Sequence, residues 1–416
     1  MVRVAEASER ILAEIKPLGS ETVPLRKALG RVCAEDVRAS VTMPPWSNSS
    51  MDGYAVRSAD ITPVMAGQRV KLKVVATIAA GGFAPRELRR GEAMRIMTGA
   101  PVPEGADSVI RKEDTDGGKS KVEIREARDV WKNIRAAGED YQRNDLLAKR
   151  GTPVRPALIG VLASTGVAKL KVFKRPRVAI ISSGNELVDI EEFAEVAAGR
   201  RIVSTNSYTL EALTRVAGGI PVDLGIAADS KASLKRKLAS ARDCDLILTS
   251  AGVSVGDLDH TRDVFAALGG EQRFWKVKMR PGAPLAFGIL DGKPWLGLSG
   301  TPVSAMVSFE LFVRPVLRKM QGFTTPFRRT VSVTTEEEIK IAAKLTHFLR
   351  AVVTRNADGQ LVARLTGHQS SAALTSMTKA NALLIVPESP QTVAKGSQLQ
   401  ALLIDQSLEE TSAFPL

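Results

Sequence analysis

The sequence predicts a multidomain protein of the α/β and β classes, built around one open and mostly parallel α/β sheet. The first observation is length, because 416 residues are too many for one ordinary core. The second is the alternation of apolar strands with helical segments between residues 173 and 323. The third is the presence of short β-like runs on both sides of that segment, at 45–142 and beyond 324.

The α/β segment begins with a buried strand, Arg177 to Ile181. Strands and helices then alternate, and Pro302 suits the first position of a long final helix. The elements predicted between them are a helix capped at 204–206 and stopped at 218–219, strand 220–226, helix 230–241, strand 245–248, helix 261–268, and strands 274–279, 283–289 and 295–298. Because such sheets bind ligands at the carboxyl ends of their strands, we expect the functional site there.

Shifts in pattern along the chain predict four domains. The β-rich segment contains many glycines and prolines, and we interpret it as an insertion whose flanks pack together. After Pro326 an alternating pattern indicates a small β-barrel or sheet. The domains are an N-terminal linker and helical domain at 1–44 plus 143–172, a β-rich inserted domain at 45–142, the α/β domain at 173–323 and a C-terminal β domain at 324–416.

The chain carries a formal net charge of +13, in short and scattered clusters. Aromatic residues make up only 5% of the sequence, which leaves little stacking capacity near those clusters and argues against a nucleic-acid partner. Attraction of small polyanionic substrates accounts for the charge, and so does a solvated basic surface.

The cysteines and the N-terminal residues indicate the cellular compartment in which the protein is expected. Cys33 and Cys244 lack metal-ligand spacing and suggest a reducing environment rather than a disulfide framework or a zinc site. The first residues lack the apolar core of a signal peptide, and no run is long enough for a membrane span. We therefore expect a soluble, cytoplasmic protein without a membrane partner. His260, His347 and His368 show neither triad nor metal-ligand spacing.

The loop from Thr249 to Asp259 is the most informative stretch of the chain. Its two glycines let backbone amides approach a ligand, and its three hydroxyl side chains add donors for phosphate oxygens. Asp257 and Asp259 would repel that phosphate unless a divalent cation lay between them. The loop therefore indicates a phosphorylated ligand held with Mg²⁺, although a plain turn between strand and helix has the same composition.

Further segments combine turn formers with chemically active residues. The segment 43–56 places Trp, Met and Tyr among polar turn formers, which indicates specific contacts or else a structured linker. The segment 95–107 is a second loop rich in glycine and proline, and a plain turn also explains it. Glu186 follows the first strand of the α/β domain and so shares a sheet edge with Asp257 and Asp259.

Two more segments suggest anion binding. Lys276, Lys278 and Arg280 occupy alternate positions of a predicted strand, so their side chains are expected on one face, where they could neutralise an oxyanion. A basic stripe facing solvent is the simpler alternative. Ser299 to Thr301 place glycine and hydroxyls at a helix N-terminus, a ready anion site, although helix capping alone would also explain them.

Eight motifs stand in a fixed order within residues 1–320. They are Pro44–Ala55, Arg95–Asp107, Gly138–Asp140, Ser182–Leu187, Thr205–Leu210, Ala251–Asp259, Arg280–Pro284 and Gly297–Ala305. Together they resemble the MoeA-type molybdopterin molybdenumtransferase family, whose pattern also occurs in the E domain of gephyrin. The C-terminal β unit is similar to the last domain of that family.

This resemblance implies a MogA-like three-layer α/β domain that binds molybdopterin, with a β-rich inserted domain and a C-terminal small β-barrel. It implies an enzyme of molybdenum cofactor biosynthesis, which inserts molybdenum from molybdate into adenylylated molybdopterin, depends on Mg²⁺ and releases AMP. The implied partners are a second copy of the chain, in a homodimer with a cleft shared between subunits, and transiently molybdopterin adenylyltransferase and molybdoenzymes.

The resemblance also implies site residues. The catalytic carboxylates are Asp52, Asp140, Glu186 and Asp259, the first two acting across the dimer interface from the others. The metal ligands are Glu186, Asp257 and Asp259. The positions that bind phosphate, molybdate or pterin are Thr98, Ser182, Gly184, Gly252, Ser254, Gly256, Lys276, Arg280, Ser299, Gly300 and Thr301.

The chain departs from the family pattern at several positions. Arg280 stands for a lysine, and Ala283 replaces a second lysine, which deletes one cation from the site. Ser299 and Thr301 replace a proline and an asparagine in the loop that shapes the molybdate pocket. The other departures are Asn185 and Ala228 for aspartates and Ala251 for a glycine. Two alternatives therefore stay open: a molybdopterin-binding paralogue with weak or tungstate-directed insertion, and a scaffold that holds a protein partner.

Overall fold

The computed structural model describes residues 1–252, 261–341, 344–389, 392–405 and 408. Two compact units make up the chain. The insert unit comprises Val23–Leu29 and Glu35–Leu170, and the large unit comprises Met1–Thr22, Gly30–Ala34 and Lys171–Leu416. Within the described residues, no helix combines the length and the apolar character needed to cross a membrane.

The chain begins with helix α1 (Val4–Ala13), whose apolar side packs into the core of the large unit. Ala7 and Ile11 lie about one turn apart and are both buried, because residues four apart share one helix face. Val2 N donates a hydrogen bond of 2.9 Å to Lys276 O and so fastens the N-terminus to that core. Strand β1 (Ser20–Pro24) follows.

The insert unit is mainly β-structure with two short helices. Its elements in chain order are β2 (Val37–Arg38), β3 (Asn48–Ser49), β4 (Gly53–Val56), α2 (Thr62–Met65), β5 (Val70–Ile78), β6 (Glu92–Ile96), β7 (Ser108–Arg111), β8 (Lys121–Ile124), β9 (Ile134–Arg135), β10 (Leu146–Ala148) and α3 (Pro156–Ser164). A five-stranded sheet in the order β7-β4-β6-β5-β8 carries its main cores. The β-rich character predicted for this part of the chain is thus present.

Glycine is required where β4 begins. A Cβ on Gly53 would lie 2.0 Å from Ile110 O on the neighbouring strand β7, so only a residue without a side chain fits. Directly before it, Asp52 O accepts a hydrogen bond of 3.0 Å from Lys112 N. The close strand approach therefore fixes the backbone that carries the Asp52 side chain.

The large unit contains a three-layer α/β domain. After β11 (Lys169–Phe173), its elements are β12 (Arg177–Ser183), β13 (Leu187–Val188), α4 (Phe193–Ala197), β14 (Ile202–Val203), α5 (Thr205–Val216), β15 (Ile220–Ala227), α6 (Lys231–Ser240), β16 (Leu246–Ser250), α7 (Thr261–Ala267), β17 (Glu271–Lys276), β18 (Met279–Arg280), β19 (Pro284–Leu290), β20 (Lys293–Leu298), α8 (Pro302–Ser308) and α9 (Arg314–Met320). The sheet order is β15-β12-β16-β20-β19-β17. Strands β15, β12, β16 and β20 are parallel, whereas β19 is antiparallel to both neighbours.

Alternate residues of the central strands enter two different cores. On β16, Leu246 and Leu248 face the core that also holds α1, α5, α8 and α9, whereas Ile247 faces the core under α6 and α7. This period of two buries both faces of the sheet, as expected for parallel strands with helices on both sides. The predicted three-layer arrangement is confirmed.

The C-terminal part of the large unit is a closed five-stranded β-barrel. Its elements are β21 (Thr330–Thr335), β22 (Ile339–Lys340), β23 (Thr346–Arg355), β24 (Leu361–Leu365), α10 (Thr375–Lys379), β25 (Ala382–Val386), β26 (Thr392–Val393) and β27 (Gln398–Leu403). The ring runs β23-β24-β21-β27-β25 and closes because β25 also pairs with β23. The predicted small barrel is thus confirmed.

The strand predicted at 274–279 is wrong in its second half. Strand β17 ends at Lys276, and the next two-residue strand, β18, leaves the α/β sheet to pair in parallel with β23 of the barrel. Lys276 and Arg280 therefore belong to different sheets, and the predicted single basic face does not form. The cause is long-range pairing with a strand almost seventy residues later, which local alternation cannot reveal.

Candidate functional site

The parallel strands β12, β16 and β20 end side by side in the large unit. Ser182 pairs with Ser250, and Ser250 pairs with Leu298, so the segments that follow these residues meet at one sheet edge. A cavity of about 140 Å³ opens there, which we call the sheet-edge cavity. Its walls include Ser182, Glu186, Asn206, Ser250 and Gly300. The predicted location at the carboxyl ends of the strands thus holds a cavity with hydroxyl, amide and carboxylate groups.

Glu186 presents a free carboxylate at the mouth of this cavity. Its side chain is exposed and has no hydrogen-bond donor or cation among the described residues. Both carboxylate oxygens lie over Gly184, where a Cβ would approach them to 2.6 Å. The absence of a side chain at Gly184 therefore leaves room for this conformation of Glu186, and no described group competes with a cation for the carboxylate.

The loop that carries Glu186 is held by a reciprocal pair of hydrogen bonds. Asn185 N donates to Asp229 Oδ2 over 3.0 Å, and Asp229 N donates to Asn185 Oδ1 over 3.1 Å. The asparagine that replaces the aspartate of the family pattern thus closes a turn onto the neighbouring loop. Ile202 N also donates to Glu186 O over 2.9 Å.

Three buried serines form a chain of hydroxyls beneath the cavity. Ser182 Oγ lies 2.9 Å from Ser207 Oγ, which lies 2.8 Å from Ser204 Oγ. Ser182 and Ser204 line the cavity. This arrangement satisfies the buried hydroxyls and offers oxygen donors and acceptors to a ligand.

Close packing explains the glycines of the neighbouring loops. A Cβ on Gly252 would lie 2.1 Å from Thr261 Oγ1, and one on Gly300 would lie 2.9 Å from the Cβ of Ala251. Ala251 itself has a φ of +72°, in the left-handed region that favours glycine. The predicted positions Ser254, Gly256, Asp257 and Asp259 lie outside the described residues.

A second and larger cavity of about 860 Å³, the basic cavity, lies between segment 279–284 and the barrel, inside the large unit. Ser299 and Thr301 line it from the start of α8, where Thr301 N donates to Ser299 Oγ over 3.3 Å. Its charged and imidazole side chains are Arg280, Glu338, Lys340, His347, Arg350 and His368. With one carboxylate against three permanent cations, the wall attracts anions.

Arg350 is a buried cation without a carboxylate partner among the described residues. Its side chain is only 1% exposed, and its Nε and Nη2 donate to Ser376 Oγ and Ser370 O over 3.1 and 3.0 Å. Burial lowers the pKa of its guanidinium to about 10, which leaves it charged at neutral pH. An uncompensated buried charge is costly, so an anion in the cavity would stabilise it.

His347 lies beside Arg280, because these two residues pair across β18 and β23. Its Nδ1 is 2.8 Å from Leu345 O, and since a carbonyl only accepts, Nδ1 carries the proton. Burial is the main cause that lowers the pKa of His347, and the charge of Arg280 adds to it. The imidazole is therefore neutral near pH 7 and acts in the cavity as a polar group.

In the insert unit, Asp52 and Thr98 form a compact pair. Asp52 Oδ1 accepts two hydrogen bonds of 2.7 Å, from Thr98 N and from Thr98 Oγ1. The backbone donor is the main cause that lowers the pKa of Asp52, so the carboxylate is ionised over the neutral range. Asp140 is also exposed in this unit, with its backbone N donating to Met43 O over 3.1 Å.

Among the described residues three groups form: Ser182, Glu186 and Gly300 at the sheet-edge cavity, Arg280, Ser299 and Thr301 at the basic cavity, and the Asp52–Thr98 pair, whereas Asp140 and Lys276 belong to none of them. Lys276 ends β17, the outermost strand of the sheet, with β19 between it and β20. Within the described part of the chain, no three His, Cys, Asp or Glu side chains are grouped to hold a metal ion.

Sequence reasoning missed the barrel side of the basic cavity. His347, Arg350 and His368 belong to no recognised motif, and their spacing resembles no catalytic site. One signal was available: Arg350 interrupts an apolar strand, and a charged residue is rarely buried without a reason.

Three family models match consecutive parts of the chain. Residues 2–166 match the MoeA N-terminal region (domain I and II), residues 179–319 match a probable molybdopterin binding domain, and residues 332–404 match the MoeA C-terminal region (domain IV). Together these matches span both units, including the sheet-edge cavity and the barrel.

The chain is also similar to whole proteins. The molybdopterin molybdenumtransferase of Staphylococcus aureus (strain COL) is 32% identical over 413 residues, 98% of this chain and 97% of that protein. Molybdopterin molybdenumtransferase 2 of Mycobacterium tuberculosis (strain ATCC 25618 / H37Rv) is 38% identical over 409 residues, 96% of this chain and 99% of that protein. A crystal structure of the molybdopterin biosynthesis moeA protein from Pyrococcus horikoshii OT3 aligns with a TM-score of 0.82 at 29% identity, over 97% of this chain and 100% of that one.

Proposed function

Since this chain belongs to the MoeA family of molybdopterin molybdenumtransferases and is an enzyme of molybdenum cofactor biosynthesis, we propose that it moves molybdenum from molybdate onto adenylylated molybdopterin and releases AMP. The observation that carries this proposal is the pair of cavities in the large unit, one with a free carboxylate and hydroxyls and the other basic. Ser299 to Thr301 border both, since Gly300 lines the first and its two neighbours line the second.

The basic cavity would take the molybdate oxyanion. Arg350 is a buried donor whose charge has no carboxylate partner in the described residues, and Arg280 adds a second guanidinium. Hydroxyls of Ser299 and Thr301 complete a set of donors suited to oxyanion oxygens. Lys276 and Thr98 are proposed as phosphate-binding residues on the resemblance alone.

Magnesium is the cofactor that the resemblance implies, and the residues of the sheet-edge cavity fit it. Mg²⁺ is usually held by one or two carboxylates together with substrate phosphates. The unpartnered carboxylate of Glu186 is such a ligand, and Asp257 and Asp259 are proposed as the others. When bound, the ion would polarise phosphoryl oxygens and offset the charge that develops as AMP leaves.

The chain's own residues would bind and orient. Asp52 is kept ionised by Thr98 and can hold a substrate donor or a metal-bound water without taking up a proton near neutral pH. Asp140 is proposed as a second carboxylate for the same task. The homodimer with a shared cleft, the transient partners (molybdopterin adenylyltransferase and molybdoenzymes) and the cytoplasmic location are proposals as well.

A second candidate function is favoured by Ala283, which lines the basic cavity where the family pattern has a lysine. Loss of that cation weakens attraction for an oxyanion, and the changed 299–301 loop alters its pocket. The chain would then be a paralogue with weak or tungstate-directed insertion. A scaffold role is disfavoured, because a scaffold has no need for a buried, uncompensated Arg350.

The test is AMP release from adenylylated molybdopterin by the purified protein, with Mg²⁺ present and molybdate or tungstate titrated. Release that depends on molybdate supports the transferase, and release that saturates at lower tungstate supports the paralogue. Tight binding of the pterin nucleotide without release under any oxyanion contradicts the transferase and indicates a molybdopterin-binding carrier or regulatory paralogue, and no binding would leave the scaffold. Removal of Mg²⁺ with a chelator should abolish release, and unchanged release would exclude the metal.

A further inference from the structure

We infer that Ser250 is a hydrogen-bond donor to the pterin and that Asn206 is the positioning residue that makes it one. The inference rests on the proposed function, because it places the pterin of the substrate in the sheet-edge cavity. Both residues line that cavity and are almost fully buried, at 2% and 7% exposure. Neither is among the catalytic or binding positions that the resemblance implies.

The orientation of the Asn206 amide follows from its partners. Its Nδ2 donates to Gly300 O over 2.8 Å and to Ser250 Oγ over 2.7 Å. A carbonyl only accepts, so the amide nitrogen must face Gly300, and both of its N–H groups are then used. Asn206 Oδ1 is buried and has no donor among the described residues, so the hydrogen bonds of this amide are made by its nitrogen.

This orientation sets the polarity of Ser250. A hydroxyl has one proton and two lone pairs, and the Asn206 N–H occupies a lone pair of Ser250 Oγ. The hydroxyl proton of Ser250 has no acceptor among the described residues, and the side chain borders the cavity. Ser250 is therefore set to donate into the cavity.

The chemistry of the ligand follows. Ser250 ends β16, and helix α5 begins at Thr205, directly before Asn206, so the positive end of a twelve-residue helix dipole lies at the same wall. Leu187, Ile202 and Val203 add apolar lining. A flat ring with an acceptor at its edge fits, which the carbonyl oxygen and ring nitrogens of a pterin supply.

The same amide holds two loops in register. Asn206 joins the end of β16 to Gly300, which lies between β20 and α8. Asn206→Asp keeps the shape and reverses the polarity: an ionised carboxylate would accept the Ser250 proton and repel Gly300 O. The hydroxyl of Ser250 would then point away from the cavity.

The experiment compares Ser250→Ala, Ser250→Thr and Asn206→Asp with wild type in AMP release from adenylylated molybdopterin. Loss of one hydrogen bond should raise KM about 3–10-fold with kcat kept, as expected for uniform binding. Ser250→Thr keeps the hydroxyl, so its KM should equal that of wild type rather than that of Ser250→Ala. Asn206→Asp should raise KM at least as much, and adding Ser250→Ala to it should cost nothing further, because the donor is already lost.

The matched control is Ser308→Ala, a buried serine of α8 outside the lining of both cavities. An unchanged KM in Ser250→Ala, or full additivity in the double variant, would overturn the inference. If Asn206→Asp fails to fold, the Ser250→Ala and Ser250→Thr pair still decides it. Quenching of pterin fluorescence on binding gives Kd without turnover. A wild type that binds the pterin nucleotide but releases no AMP would contradict the proposed function. The inference would then be decided by the Kd values of wild type, Ser250→Ala and Ser250→Thr.

Discussion

Thr98 gives both of its donors to a single oxygen of Asp52, one from the backbone and one from the hydroxyl, each at 2.7 Å. The ionised carboxylate is the state that gains from both bonds, and this is why the pKa of Asp52 is lowered. A carboxyl with a lowered native pKa contributes stability above its unfolded pKa, and that contribution is lost as pH falls through the native pKa. Its ionisation is therefore secured well below neutral pH.

Thr98→Val removes the hydroxyl donor and keeps the backbone donor. We expect the pKa of Asp52 to rise towards its ordinary value. The acid limb of the pH profile of kcat/KM for AMP release should then move to higher pH. Thr62→Val, an exposed threonine of the same unit, is the control. An acid limb that stays in place in Thr98→Val would remove Asp52 from the titrating groups of the reaction.

Glu186→Ala should abolish turnover, because the carboxylate at the mouth of the sheet-edge cavity is proposed to hold Mg²⁺. A loss of about 100-fold or more is expected for a group that organises charge in the transition state. Asp259→Ala should behave likewise, and the proposed homodimer should persist in both variants by sedimentation. Glu192→Ala removes an exposed glutamate close in sequence and should leave turnover unchanged. Full activity in Glu186→Ala or Asp259→Ala would exclude that residue from the mechanism.

Arg350→Met tests the buried cation of the basic cavity. An apolar side chain of similar length removes an uncompensated charge, so the free energy of unfolding should be unchanged or higher despite the lost hydrogen bonds. The KM for molybdate should rise about tenfold or more. Thermal unfolding checks the first result and AMP release the second. Molybdate should raise the Tm of wild type and not of the variant, and an equal rise in both would place the oxyanion elsewhere.

Ala283→Lys restores the cation of the family pattern. It adds positive charge to the wall of the basic cavity, so the KM for molybdate should fall several-fold at low ionic strength and less at high salt. Ala357→Lys places the same charge on an exposed turn of the barrel as a control. The ratio of the tungstate and molybdate KM values, measured in both, would show whether position 283 also selects the metal. A KM insensitive to Ala283→Lys would rule out weak oxyanion attraction as the reason for a paralogue.

Ala251→Gly should stabilise the protein. Ala251 has a φ of +72°, and this left-handed backbone costs a residue with a Cβ about 1–2 kcal/mol. Glycine removes that cost but loses more backbone entropy on folding, which offsets roughly half of the gain. The expected net gain is about 0.5–1 kcal/mol in the free energy of unfolding, visible as a higher Tm. Ala228→Gly, at an exposed position whose φ is not positive, should lower it instead. A destabilised Ala251→Gly would mean that the Cβ contributes packing that outweighs the strain.

Local signals were sufficient for most of the α/β domain. The helix predicted between 204–206 and 218–219 is found as α5, although Ser204 makes no side-chain capping hydrogen bond, and Pro302 begins α8 as its ring geometry allows. The turn at Asp291-Gly292 has two positive φ values, 49° and 72°, as expected for an Asp-Gly pair in a two-residue hairpin turn. Period and turn chemistry are encoded within a few residues, so the sequence alone carries them. The bounds of the four predicted domains stay predictions.

Long-range strand pairing could not be predicted from such local sequence signals. Strand β18 is two residues long and exists because β23 offers it a free edge. Arg350 becomes part of a cavity only once the barrel has closed and segment 279–284 lies opposite. Asn206 shows the same limit, because its two partners come from separate loops, 44 and 94 residues further along the chain. Such sites depend on contacts whose partners are unknown until the fold is.

The pairing of β18 with β23 couples the unfolding of the barrel to that of the α/β sheet in the large unit. The residues of β18 lie between two strands of the α/β sheet in the sequence, and yet they extend the sheet of the barrel. Removing the barrel would take away the strand that pairs with Met279 and Arg280, so we do not expect this part of the chain to behave as a detachable module. We expect the barrel and the sheet to unfold in one cooperative transition. A chain truncated at residue 324 would expose the unpaired edge of β18, and it should aggregate more readily.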